Sequence, residues 1–91
     1  MRLNVRNPKN EITATYTNQH FIIANLLSLL FNKTIAKTNH IKRINYSYNY
    51  TDKQKIIFTF DNNYKHEFID VPTSLGLLND VEIQKLMEGS D

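Results

Sequence analysis

The chain has 91 residues, of which 41% are hydrophobic and 22% are charged, and its formal net charge is +2. This composition excludes a disordered chain, which would combine low hydrophobicity with high net charge, and predicts a single domain over residues 1–91. The absence of cysteine excludes disulfides, thiolate nucleophiles and cysteine-ligated metals. Because the first ten residues also lack an apolar signal segment, we expect a cytoplasmic protein.

The N-terminal segment has the pattern of a β-hairpin. Apolar and polar residues alternate over residues 2–6 and again over residues 12–16. The sequence Asn-Pro-Lys-Asn at residues 7–10 lies between them and is typical of a turn. The pattern predicts two antiparallel strands joined by this turn.

The most apolar stretch of the chain, HFIIANLLSLLFNKTIA, occupies residues 20–36. Asn25 and Ser28 interrupt it, whereas a membrane-spanning helix needs about 18 continuous apolar residues. Thr17 or Asn18 can cap the start of a helix. The stretch therefore predicts a helix over residues 18–37 that does not enter a membrane.

Asparagines recur every seven residues along this helix and form one stripe on its surface. They are Asn18, Asn25, Asn32 and Asn39. The side opposite the stripe is expected to pack on a sheet, and its residues are Ile23, Leu27, Leu30 and Phe31. The apolar residues that flank the stripe need a second cover, and these are Phe21, Ile22, Leu29 and Ala36.

Three arrangements of the asparagine side are open. The C-terminal segment 75–87 can fold over it, an identical helix can meet it across a two-fold axis, or it can be the solvent face of a monomer. An asparagine at a helix seam can pair with its symmetry mate, whereas among leucines it lacks a partner. The spacing thus favours a homodimer, with the candidate interface Phe21, Ile22, Asn25, Leu29 and Asn32.

Two aromatic strands follow the helix. Tyrosines alternate with polar residues over 45–50, and Ile56, Phe58 and Phe60 alternate over 55–60. A turn over residues 51–55 connects the two strands. One shared aromatic face requires an odd-length loop. The predicted pairs are Tyr50 with Ile56, Tyr48 with Phe58, and Tyr46 with Phe60.

A third strand is predicted over residues 64–71, and its register depends on the preceding loop. A three-residue loop, Asp61-Asn62-Asn63, places Tyr64, His66 and Phe68 on the aromatic face. A two-residue Asn62-Asn63 turn places Lys65, Glu67 and Ile69 there instead. We favour the first because it buries more aromatic area.

After Pro72 the alternation stops, and residues 75–87 have the pattern of a turn and a short amphipathic helix. Asn79 and Glu82 have the spacing of a capping box, and Gly89 is a suitable stop. The predicted order is ββαβββα. The fold class is therefore α+β, with an antiparallel sheet of about five strands and the central helix on one face.

The histidines and carboxylates do not form a recognisable reactive group. His20, His40 and His66 lack the i, i+4 spacing of metal-binding helices. His66 and Asp70 could form an acid–base pair on one strand, but no nucleophile or phosphate-binding glycine loop accompanies them. We expect no catalytic residue, no metal, no cofactor and no enzymatic activity.

A basic patch runs from the end of the helix into the next strand. Its residues are Lys33, Lys37, His40, Lys42 and Arg43. Lysines near a helix C-terminus are favoured by its dipole, which explains the first two without any ligand. The alternative is a phosphate-contacting patch, but a net charge of +2 is low for a dedicated nucleic-acid-binding protein.

Two functions follow as hypotheses. The first is a small, non-enzymatic, self-associating protein-binding regulator. Its size and its Asn- and Lys-rich composition suit an accessory or inhibitor protein of a phage or mobile element. The alternative is a weak nucleic-acid-binding regulator that uses the basic patch.

Overall fold

The computed structural model describes residues 1–31, 40–48 and 53–72, apart from the side chains of Phe31 and Tyr48. In these residues the order of elements is ββαβββ, which confirms the α+β class. The elements are β1 (Arg2–Arg6), β2 (Ile12–Tyr16), α1 (Gln19–Phe31), β3 (Ile41–Tyr48), β4 (Lys53–Phe60) and β5 (Lys65–Pro72). The predicted continuation of the helix to residue 37 and the predicted C-terminal helix lie outside the described residues.

The five strands form one antiparallel sheet in the order β2-β1-β5-β4-β3. Strand β1 therefore lies between its hairpin partner β2 and the distant strand β5. Strands β2 and β3 occupy the two edges of this sheet, so the segment between them, which contains α1, must cross from one edge to the other. This connection brings the helix over one face of the sheet.

The predicted N-terminal hairpin is confirmed, and asparagines make its turn. The Oδ1 atom of Asn7 accepts hydrogen bonds from the backbone N–H groups of Lys9 and Glu11, at 3.0 and 2.9 Å. Asn10 has a φ of 67°, in the left-handed region that asparagine tolerates better than most residues. Local side-chain chemistry thus replaces glycine in this turn.

Of the two candidate caps, Asn18 is the one at the helix start. Its Oδ1 atom accepts a hydrogen bond from the backbone N–H of Phe21 at 3.0 Å, and its carbonyl oxygen accepts from Ile22 at 3.0 Å. This is the geometry of an N-cap, which satisfies a donor that has no partner within the helix.

The predicted orientation of α1 is wrong by one residue position. The helix residues buried in the core are Ile22, Leu26, Leu29 and Leu30, whereas Ile23 and Leu27 are only partly buried. Both sets have the i, i+4, i+7, i+8 spacing of an amphipathic helix. Because α1 is apolar nearly all round, periodicity alone could not choose between the two sets.

The predicted pairing of β3 with β4 is wrong by four residues, although its faces are correct. Tyr46 lies opposite Ile56 rather than Phe60, and Ile44 lies opposite Phe58. A four-residue shift preserves the side-chain alternation, so the aromatic face stays the same. The observed register buries Ile44 opposite Phe58, an apolar pairing that the predicted register would have lost. Tyr50 and the turn residues 51–52 lie outside the described residues.

The favoured register of the third strand is confirmed. His66 lies opposite Phe58, and Phe68 lies opposite Ile56. The connecting loop is Asp61-Asn62-Asn63, in which Asn63 has a φ of 67° and donates its N–H to the Phe60 carbonyl at 2.8 Å. A left-handed residue at this position is typical of three-residue hairpin loops.

A bulge near the end of β5 keeps its last residues on the core face. Gln54 pairs with Val71 and Ile56 pairs with Phe68, so two residues of β5 lie opposite Lys55. One of them, Asp70, has a φ of 57°. An extra residue at a bulge restores the alternation beyond it, and Val71 is accordingly fully buried.

One buried cluster joins the helix and the inner face of the sheet. The Phe58 and Phe68 rings meet edge to face at its centre, with centroids 5.6 Å apart, a favourable aromatic geometry. The cluster consists of Leu3, Ile22, Leu26, Leu29, Leu30, Ile44, Ile56, Phe58, Phe60, Phe68 and Val71.

Candidate functional site

The face of the sheet opposite the core carries the polar residues that alternate with the buried residues along each strand. Glu67 on β5 lies between Asn4 on β1 and Ile57 on β4. One pair further along, Lys65 lies between Arg6 and Thr59. These residues alternate with the buried Leu3 and Phe68, so they project to the other side of the sheet.

This outer face contains a groove of about 690 Å³. Its lining is Arg6, Pro8, Asn10, Lys42, Arg43, Asn45, Lys55, Ile57, Thr59, Asn63, Lys65 and Glu67. In the described part of the chain, five cations and one carboxylate line it, with a formal charge of +4, and no lining side chain is aromatic. The whole-chain net charge of +2 therefore understates the charge at this surface.

Glu67 is the centre of a polar network across the groove floor. Its Oε1 atom accepts from Asn4 Nδ2 at 3.1 Å and lies 3.4 Å from the Arg6 guanidinium, while Oε2 lies 3.2 Å from Lys55 Nζ. Asn4 in turn accepts a hydrogen bond from the Thr15 hydroxyl at 2.9 Å. The network links four adjacent strands and orients two of the five cations.

The Glu67 carboxyl is charged at neutral pH. Burial raises its pKa, but the hydrogen bonds from Asn4 and Lys55 and the charges of Lys55 and Arg6 outweigh burial, so its pKa lies below the ordinary value. The ionised carboxylate offsets part of the repulsion among the surrounding cations. It thereby allows Arg6 and Lys55 to lie close together at the groove floor.

The other three cations of the groove are held less tightly. Lys42 Nζ donates to Asn63 Oδ1 at 3.3 Å. Among the described residues, no carboxylate lies within salt-bridge distance of Lys42, Arg43 or Lys65. Lys42 and Arg43 are exposed and Lys65 is partly exposed, so their charges are available to a ligand.

The structure divides the basic patch proposed from sequence. Lys42 and Arg43 line the groove, whereas His40 is exposed and is not among its lining residues. Lys33 and Lys37 lie outside the described residues. The groove instead adds three cations that the sequence analysis did not include, namely Arg6, Lys55 and Lys65.

A signal for these three cations was present in the strand alternation. Lys55 alternates with inward-facing residues of β4, Lys65 with those of β5, and Arg6 with those of β1. Alternation predicts a face for each residue but not which strands are neighbours. Only the strand order brings the three cations together with Arg43.

The candidate interface on the helix is also divided. Ile22 and Leu29 belong to the buried core, and Asn25 is partly buried. Phe21 is 43% exposed, and its ring lies 4.9 Å from that of Tyr16, which is 40% exposed. Asn32 lies outside the described residues.

His66 lies on the core side of the sheet. Its ring meets Phe60 edge to face, with centroids 4.9 Å apart. Burial lowers the pKa of His66, because it disfavours the charged imidazolium. In the described part of the chain, no hydrogen bond or ion pair joins His66 to the exposed Asp70, nor do three or more metal-ligating side chains cluster.

No helix within the described ranges is long and apolar enough to cross a membrane. Comparison of the chain with protein-family models, with curated proteins and with solved structures finds no match. The geometry and charge of the outer sheet face are therefore the features that indicate a function.

Proposed function

We propose that this protein is a small, non-enzymatic regulator that works by binding an anionic macromolecule on the outer face of its sheet. The observation that supports the proposal is the groove, in whose described lining five cations from four strands surround one ionised carboxylate. Opposite charges at a surface accelerate association and select partners. The expectation of a phage or mobile-element accessory protein stays a prediction from composition.

A matched pair of arginine variants tests this proposal with heparin as the probe polyanion. Arg43 lines the groove, whereas Arg2 is an exposed arginine at the far end of β1 and is not among the lining residues. We expect Arg43→Glu to weaken heparin binding at least about tenfold, and Arg2→Glu to have a much smaller effect, since charge effects fall off within about 10 Å at 0.1 M salt. Calorimetric titration measures both affinities.

A third variant changes the groove charge in the opposite direction. Glu67→Gln keeps the shape of the side chain and removes the negative charge of the described groove lining, so we expect tighter heparin binding. Equal losses in the two arginine variants, or weaker binding by a folded Glu67→Gln protein, would contradict the assignment of the groove. The melting temperature of each variant shows whether it is folded.

Self-association is a second candidate function. The surface that supports it is the edge strand β2 and not the asparagine side of α1. Within the described residues β2 is an edge strand, and its sequence ITATY has no charge and no proline to protect the edge. Ile12 is 50% exposed on this strand, and the exposed Tyr16–Phe21 ring pair lies at its end. We propose that a second copy pairs along β2, in place of the helix seam inferred from the asparagine spacing.

Light scattering on the purified protein tests self-association. We expect twice the monomer mass of 10.7 kDa at micromolar concentration, and a return to the monomer mass in Phe21→Ser. Tyr64→Ser is the matched control, because Tyr64 is similarly exposed, at 40%, but lies at the other end of the sheet. A parent protein that keeps the monomer mass at high concentration excludes the dimer.

A further inference from the structure

We propose that the anionic partner of the groove is the phosphate backbone of a nucleic-acid duplex. The inference rests on the function proposed above and adds the chemical class of the ligand. Three features of the described groove lining support it: the spread of the cations, the neutral donors among the lining residues and the absence of aromatic side chains.

The five cations are spread over the sheet instead of meeting at one point. Arg6 is on β1, Lys65 on β5 and Lys55 on β4, while Lys42 and Arg43 are on the edge strand β3. A single small anion would need convergent donors, whereas this spread suits a ligand with many regularly spaced charges. A duplex carries one negative charge about every 1.7 Å of its axis. A protein that measures 32 × 30 × 22 Å therefore spans many of these charges.

Neutral hydrogen-bonding side chains line the groove together with its cations. Asn10, Asn45, Asn63 and Thr59 are all lining residues. Asparagine and threonine side chains, like those of lysine and arginine, are among the donors with which proteins contact phosphate oxygens. Such contacts position a protein on a duplex without reading its sequence, so we expect little sequence preference.

The groove lacks what the competing ligands need. Single strands are held by stacking their bases on aromatic rings, and none of the described residues that line the groove is aromatic. An acidic protein partner would require an apolar centre to the interface, but within the described part of the chain only Pro8 and Ile57 are apolar lining residues. Duplex interfaces are more polar and more positively charged than protein–protein interfaces, as this surface is.

Fluorescence anisotropy with the full chain tests the inference against four labelled probes. They are a mixed-sequence DNA duplex, an RNA duplex of the same sequence, the corresponding single strand, and poly-glutamate of similar total charge. At physiological salt we expect duplex dissociation constants between about 10⁻⁴ and 10⁻⁶ M, the usual range of non-specific binding. We expect the single strand and poly-glutamate to bind at least about tenfold more weakly, and the preferred duplex identifies DNA or RNA.

Salt dependence and variants link the binding to the groove. The logarithm of affinity should fall with the logarithm of salt concentration at a slope of about −0.9 per phosphate contacted. The double variant Arg43→Glu, Lys65→Glu should weaken duplex binding and make this slope shallower by about two. Arg2→Glu is the control for charge reversal outside the groove, and melting temperatures show that each protein is folded.

The panel separates failure of the inference from failure of the proposed function. Poly-glutamate or the single strand binding tighter than both duplexes would overturn the duplex assignment and leave an anion-binding groove. A double variant that binds the duplex with the affinity of the parent protein would also overturn it. If none of the four probes binds even at low salt, both the inference and the proposed function are wrong.

Discussion

Truncation of Phe58 to alanine should destabilise the protein by about 3–5 kcal/mol, the usual cost of removing a buried phenylalanine ring. Phe58 is fully buried, and its ring packs edge to face on Phe68 at the centre of the core. A chain of this length has a total stability of only about 5–14 kcal/mol. The variant should therefore lose at least about 12 °C in melting temperature or fail to fold.

Tyr64→Ala is the matched control for this aromatic truncation, because Tyr64 is 40% exposed. We expect it to shift the melting temperature far less than Phe58→Ala. If Phe58→Ala cannot be purified folded, Phe58→Leu gives a smaller loss that remains measurable by thermal denaturation. A Phe58→Ala protein that melts within about two degrees of the parent would show that Phe58 is not in the core.

Leu26→Ala should cost about 2–5 kcal/mol, while Leu27→Ala should cost less than half as much. Leu26 is fully buried and Leu27 is partly exposed. The two substitutions remove the same atoms from adjacent positions of α1, so helix propensity changes equally and the difference reports burial alone. Chemical denaturation of both variants measures their free energies of unfolding.

This pair decides the orientation of the helix. The apolar pattern of the sequence predicts Leu27 toward the sheet, and the structure buries Leu26 instead. If Leu27→Ala proves the more destabilising of the two, α1 is rotated by about 100° and the original assignment is right. Asn25, next to Leu26, would then lie on the side of the helix for which the asparagine spacing predicts a homodimer contact.

The candidate site was only partly accessible from sequence. Lys42 and Arg43 are recognisable as a basic pair because they are adjacent in the chain. Arg6, Lys55 and Lys65 are separated by up to 59 residues. The role of Glu67 as the counter-ion of the groove was not predictable from local sequence, because its partners Asn4, Arg6 and Lys55 come from two other strands. A network of this kind depends on strand neighbours that no local pattern encodes.

Local patterns were sufficient for the elements themselves and for the faces of the strands. Alternation with a period of two assigned the aromatic side chains of β4 and β5 to the core face, because a strand presents successive residues to opposite sides. The Asn-rich turns and the cap at Asn18 were also predictable, since each depends on bonds between residues close in sequence.

Three features were decided only by tertiary structure. The rotation of α1 depended on which of two equally apolar stripes fits the sheet, and periodicity was the same for both. The β3–β4 register could shift by an even number of residues without moving any side chain to the other face. The basic groove required β1 to lie between β2 and β5, with β4 and β3 beyond them. That order is set by packing between segments distant in sequence, and the net charge of the chain could not reveal it.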